Sequence, residues 1–168
     1  MCLGFAGQTI GYPMVGYEGN FSQDYEVVAT LGNLQKANVT YAMSGSRDAG
    51  VIVEKLVTKT DSWDTTSTPV DNSASTSDGG VGYIQCTAAS GFSGFVGKVR
   101  HSSDDVTYSD LLSFTDDVSA PFAERVTVSG TVNRYLSFTG IIPGTGAITV
   151  FWGFRRSYQG VKKRRCVP

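Results

Sequence analysis

Apolar and polar residues alternate along most of the chain, most clearly between Gly91 and Arg155. Phe95, Gly97, Val99 and His101 alternate with Val96, Lys98 and Arg100. Val126 and Val128 are spaced by two, and beyond Gly130 so are Val132, Arg134, Leu136 and Phe138. Ile148, Val150, Trp152 and Phe154 form a further apolar row. A period of two puts successive side chains on opposite faces of a strand, one buried and one wetted. Between the runs lie Ser102-Ser103-Asp104-Asp105, Ser129-Gly130 and Pro143-Gly144-Thr145-Gly146. These are turn chemistries: glycine supplies positive φ, proline fixes φ, and Asp and Ser bond their own backbone.

The same period predicts earlier strands. Tyr25, Val27 and Ala29 alternate with Glu26 and Val28, Leu31-Gly32-Asn33 reads as a turn, and Ala37, Val39, Tyr41 and Met43 alternate with Lys36, Asn38, Thr40 and Ala42. A short helix over 34–42 is the competing reading, and the β-branched Val39 and Thr40 beside Tyr41 disfavour it. Further strands are predicted over 50–56 and 82–88. No segment carries apolar residues at i, i+3, i+4 and i+7 over three turns, so almost no helix is expected. Seven to ten strands at regular spacing predict an all-β chain, an antiparallel β-sandwich of jelly-roll-like form.

Residues 1–20 break the period. Gly4, Gly7, Gly11, Gly16 and Gly19 punctuate a stretch whose apolar residues follow no regular spacing, which predicts an extended Gly-rich arm. Residues 61–80 are almost wholly polar apart from Trp63, and predict a linker or loop. The expected organisation is therefore an arm (1–20), a strand module (21–60), the polar linker or loop (61–80), a sandwich module (81–157) and a basic tail (158–168).

Composition narrows the class. An apolar fraction of 40% in 168 residues is enough for a core, and a charged fraction of 17% is low, with Ser, Thr and Gly in its place. The net charge of −1 gives no general attraction to nucleic acid. The basic residues cluster at the end, in Arg155, Arg156, Lys162, Lys163, Arg164 and Arg165. They read either as a solvated tail or as a surface that docks on an acidic neighbour, a partner subunit or packaged DNA. Cys2, Cys86 and Cys166 are odd in number and widely spaced, with no C-x-x-C pair, so a reducing compartment during synthesis is expected, with Cys86 as a small buried hydrophobe. No apolar run reaches membrane-spanning length, and Met1–Ala6 has no basic segment of the kind that opens a signal peptide.

Candidate chemistry is sparse. His101 is the sole histidine; it precedes Ser102 and Ser103, but neighbouring residues on a strand face opposite ways and no nucleophile-elbow glycines surround them. Asp104-Asp105 and Asp116-Asp117 could bring oxygen ligands to a calcium ion if their loops met, but aspartates in such loops more commonly shape turns. The Gly-rich pieces lack the Lys-Ser/Thr of a phosphate loop. Tyr83, Phe92, Phe95, Tyr108, Tyr135, Phe151 and Trp152 could line a sugar platform; at alternating spacing they read first as core. The chain is expected not to be an enzyme and to carry no cofactor or metal.

The run from Val70 to Ile84, followed by Gly97–Asp104 and then Glu124–Leu136, resembles a β-rich module of tailed-bacteriophage virion proteins, often carried at the C-terminal end of tail-tube-like (major tail) proteins. The strand, the S-x-D turn and the later Arg134-Tyr135-Leu136 strand also resemble discoidin-type jelly rolls, which bind sugars or surfaces. Residues 20–56 are similar to the last strands of a tail-tube domain, although a full domain of that kind has a longer N-terminal half with a strand pair that closes the ring. The resemblance implies a virion structural subunit, assembled in the host cytoplasm, that self-associates into stacked rings. It has homo-oligomeric and other virion partners, no membrane, and proximity to packaged DNA. A capsid decoration protein is the alternative, and a glycan- or host-surface-binding sandwich a third reading. The expected assembly interface is Phe5, Ile10, Tyr12, Met14 and Tyr17 of the arm with Lys162, Lys163, Arg164 and Arg165 of the tail, while the sandwich over 91–155 folds without them.

Overall fold

The computed structural model describes residues 2–4, 9–17, 21–28, 36–43, 47–91, 94–115 and 120–157. Thirteen strands run through them: β1 (Cys2–Gly4), β2 (Pro13–Tyr17), β3 (Phe21–Val28), β4 (Lys36–Met43), β5 (Arg47–Lys59), β6 (Trp63–Asp64), β7 (Val70–Asp71), β8 (Gly80–Ser90), β9 (Val96–Ser102), β10 (Ser109–Ser113), β11 (Phe122–Val128), β12 (Tyr135–Ile141) and β13 (Ala147–Arg156). The described residues contain no helix. The chain is all-β, and its strand pairings are antiparallel.

The chain divides into two units, Met1–Gly16 with Asp48–Pro168, and Tyr17–Arg47. The first is a β-sandwich. One sheet runs β1-β2-β5-β13-β8-β11; the other runs β10-β9-β12-β6, with β7 also paired to β12. The pairing is nested: β8 pairs β13, and inside that pair β9 pairs β12 across the opposite sheet. A single ribbon folded over on itself in this way is the jelly-roll arrangement anticipated from the period of two. The turns Ser129–Gly130 and Pro143–Gly146 fall between strands as predicted, and Gly130 and Gly144 take φ of 88° and 83°, where a side chain would be strained.

The core lies between the sheets. Ile148, Val150, Trp152 and Phe154 of β13 meet Leu136 and Phe138 of β12 and Val99 of β9. The Trp152 and Phe138 rings stack with centroids 3.5 Å apart, and Trp63 closes the group 5.4 Å from Trp152. Gly140 sits beneath Trp63: a Cβ there would lie 2.5 Å from the indole ring. Burying an aromatic of this size contributes several kcal/mol, and truncating it to alanine costs about 3–5 kcal/mol. Cys86 is buried in the same core, as expected.

One expectation is resolved and two change. Of the two readings of residues 61–80, linker or loop, the segment follows the second, a loop held on the sandwich: β6 and β7 pair β12, Thr76 bridges Val132, and Thr65 exchanges hydrogen bonds with the Phe138 backbone. A polar segment is held here by backbone and hydroxyl hydrogen bonds, which leave no apolar signature. The sandwich also does not begin at residue 81 or 91, because β13 lies between β5 and β8: a start at 81 would strip it of β5, and a start at 91 of both neighbours. Nor is the N-terminal segment wholly an arm. Gly11 donates to the Ile52 carbonyl and Ile52 to the Tyr12 carbonyl, and Met14 is buried with Ile52, Val81, Tyr83 and Phe151 on the outer face of the first sheet. Glycines at 16 and 153 permit the close approach.

The second unit holds β3 and β4. They pair over their full length, from Phe21↔Met43 to Val28↔Lys36, and form a two-stranded sheet with no third strand among the described residues. The predicted turn at Leu31-Gly32-Asn33 lies outside the described residues.

Candidate functional site

The outer face of the second sheet carries the polar residues that the core rejects. On β12, Leu136 and Phe138 point inward, so Tyr135, Ser137 and Thr139 face out. Register sets Ser137 opposite Arg100 and Thr139 opposite Lys98 on β9, with Asp64 beyond Thr139 on β6 and Asp110 beyond Arg100 on β10. Asp64, Thr66, Ser67, Arg100, Asp105, Val106 and Tyr108 line a cleft of about 510 Å³ on this face.

Each wall is fixed locally. Asp64 Oδ1 accepts bonds from Thr66 N (3.0 Å) and Thr66 Oγ1 (2.6 Å), which lower its pKa and hold it charged. On the opposite wall, Asp104 Oδ1 accepts from Thr107 N (2.9 Å), Ser102 Oγ (2.7 Å) and Val106 N (3.0 Å), so the carboxyl is held down to about 2. The loop thus anchored presents Asp105 at φ 63° and the exposed Val106. Tyr108 donates its hydroxyl to Asp105 Oδ1; burial, followed by that carboxylate, raises its pKa. Arg100 lies 6.0 Å over the Tyr108 ring and donates from Nη2 to the Tyr108 carbonyl at 2.6 Å, while its Nε faces Asp110 at 3.5 Å. Ser137, in register with Arg100, is fully buried, and its hydroxyl has no hydrogen-bond partner, nor has that of Thr139.

A second polar cluster lies on the other sheet. Asp48 is completely buried, and its carboxylate accepts from Tyr83 Oη, from Arg125 Nε (3.3 Å) and Nη2 (3.2 Å), and from Arg155 Nη1. Arg125 Nε also donates to Tyr83 Oη at 3.0 Å. Burial and then the Asp48 contact push the Tyr83 hydroxyl up, and the tyrosine and carboxylate raise Arg125. All donors converge on one acceptor, which ties β5, β8, β11 and β13 together and leaves the carboxylate spent on structure.

The residues singled out in the sequence separate clearly. His101 is half-buried, its Nδ1 accepting from Asn133 N at 3.2 Å, and burial lowers its pKa. Asp104 is committed to its own loop, while Asp116 and Asp117 lie outside the described residues. Of the seven aromatics, Tyr83, Phe95, Phe151 and Trp152 are core, Phe92 lies outside the described residues, and Tyr108 and Tyr135 stand half-buried on the outer face of the second sheet. Of the expected assembly residues, Met14 is only 1% exposed within its own chain and is not free to meet another copy. Ile10 is half-buried and Tyr12 46% exposed. Phe5, Lys162, Lys163, Arg164 and Arg165, and the side chain of Tyr17, lie outside the described residues. Asp64, Thr66, Arg100 and Ser137 escaped the sequence reading. The available signal was the outward phase of β9 and β12, which places Arg100 and Ser137 on one face.

No family model and no curated protein matches the chain. Among solved structures, the CBM22-1 xylan-binding domain of Paenibacillus barcinonensis Xyn10C is similar at 14% identity over 92% of each chain, with a TM-score of 0.26, too low to bear on fold or ligand.

Proposed function

We propose that this chain is a structural subunit of a tailed-bacteriophage virion, a major tail subunit that works by self-association into stacked rings. The sequence likeness over residues 70–138 supplies the class. The observation that supports self-association is the β3–β4 ribbon, a two-stranded sheet with no third strand among the described residues. A lone hairpin is marginal in water. Neither outer edge pairs with a further strand among the described residues, and an edge of that kind invites strand addition. In an assembly, a neighbouring copy supplies the missing strand.

The test is electron microscopy and sizing of the purified full chain, with Gln23→Pro and Asp24→Pro variants. Successive residues of an antiparallel strand direct their N–H groups to opposite sides. One of the two prolines therefore removes a donor from the outer edge and leaves the hairpin ladder whole. Rings or tubes from the parent chain, lost in that variant with melting unchanged, support the reading. A small closed oligomer that adds to empty heads would transfer the chain to capsid decoration. A monomer would overturn self-association, and assembly indifferent to both prolines would overturn strand addition at the outer edge of β3.

A further inference from the structure

We propose that the cleft on the outer face of the second sheet binds a neutral oligosaccharide through its vicinal hydroxyls. This is independent of the assembly reading. The volume of about 510 Å³ falls within the roughly 300–1,000 Å³ of small-ligand sites. Its polar groups are those that read a polyol. Asp64 Oδ1 takes both bonds from Thr66, and Oδ2 remains to accept from ligand hydroxyls. Asp105 Oδ1 is engaged by Tyr108, which leaves Oδ2. Arg100 uses Nη2 and Nε internally and keeps Nη1 as a donor.

The charge of the lining selects against anions, because two carboxylates face one guanidinium. Tyr108, held by its bond to Asp105 and by Arg100, offers a fixed aromatic wall.

The experiment is an amide NMR titration of the full chain with maltohexaose and cellohexaose, two neutral oligosaccharides of different hydroxyl geometry, and with an oligogalacturonate as the anionic probe. Saturable shifts at Thr66, Arg100 and Tyr108 with at least one neutral probe are expected. Asp64→Asn and Arg100→Ala should each weaken binding about tenfold or more, as loss of a hydrogen bond to a charged group does. Asp64 is exposed and Arg100 half-buried, and melting of each variant checks that the fold is kept. The proposal is overturned if neither neutral probe shifts these amides up to about 10 mM, a concentration well above a millimolar Kd. Equal binding of the anion, or unweakened binding by both variants, would also overturn it.

Discussion

Met14 lies directly over Gly153, so close that a Cβ at position 153 would overlap the methionine sulfur. The contact joins β2 to the centre of the first sheet and makes the N-terminal segment part of the fold. Met14→Ala should therefore cost about 2–5 kcal/mol, and Gly153→Ala about 1–3 kcal/mol through overpacking. Urea unfolding monitored by tryptophan fluorescence measures both. Deletion of residues 1–16 should lower the melting temperature; a deletion variant that melts like the parent chain would show that the contact contributes nothing.

Asp48 is the shared acceptor of Tyr83, Arg125 and Arg155. Asp48→Ala should destabilise by about 3–5 kcal/mol, because it strands two guanidiniums around a buried site. Tyr83→Phe should cost only about 1 kcal/mol, the net worth of one hydrogen bond. The Tyr83 pKa is raised above its ordinary 10.0, so its contribution is whole below pH 10 and is lost as pH rises toward the folded value. Denaturation from pH 9 to 11 should show a shallower alkaline loss in Tyr83→Phe than in the parent chain.

His101 titrates below its ordinary 6.5 because burial disfavours the imidazolium. The unfolded chain therefore binds the proton first as pH falls. The contribution of His101 is present above about 6.5 and is lost as pH drops through the folded value. It is the sole histidine, so the slope of stability against pH just below about 6.5 belongs largely to it. His101→Gln should flatten that slope, and an unchanged slope would refute the assignment.

Asp71 and Arg134 form a two-pronged pair, Nε to Oδ1 at 2.7 Å and Nη2 to Oδ2 at 2.6 Å, that fastens β7 to the start of β12. The Arg134 bonds and the Ser73 amide hold Asp71 down to about 2. Its contribution is whole above 3.8 and is lost as pH falls toward 2. Carboxyl carbon NMR should give midpoints near 2 for Asp71 and Asp104. Arg134→Lys should raise the Asp71 midpoint and leave that of Asp104 in place, since lysine cannot reproduce the fork. Equal movement of both would point to a general loosening of the fold.

The all-β class, the β3–β4 pair and strands β9, β11, β12 and β13 were largely written in local pattern, whereas β10 was not anticipated. Wherever one face of a strand is buried and the other wetted, the period of two appears in the residues themselves, as in Leu136, Phe138 and their polar neighbours. Turn chemistry at Ser129-Gly130 and Pro143–Gly146 set the joints. What tertiary structure alone decided lies where that local code fails. Strands β5, β8 and β13 are covered on both faces, so Ile52, Tyr83 and Phe151 blur the alternation and the second apolar cluster with Met14 goes unseen. Strands of two residues, such as β6 and β7, are too short to show any period. Asp48 meets Arg125 and Arg155, and Asp64 faces Arg100, across spans of chain that no spacing rule reaches. Hydrogen bonds and ion pairs depend on geometry between distant segments, whereas burial imprints itself residue by residue. The strand pattern was therefore legible in the sequence, while the polar cleft became visible only once the sheets were folded together.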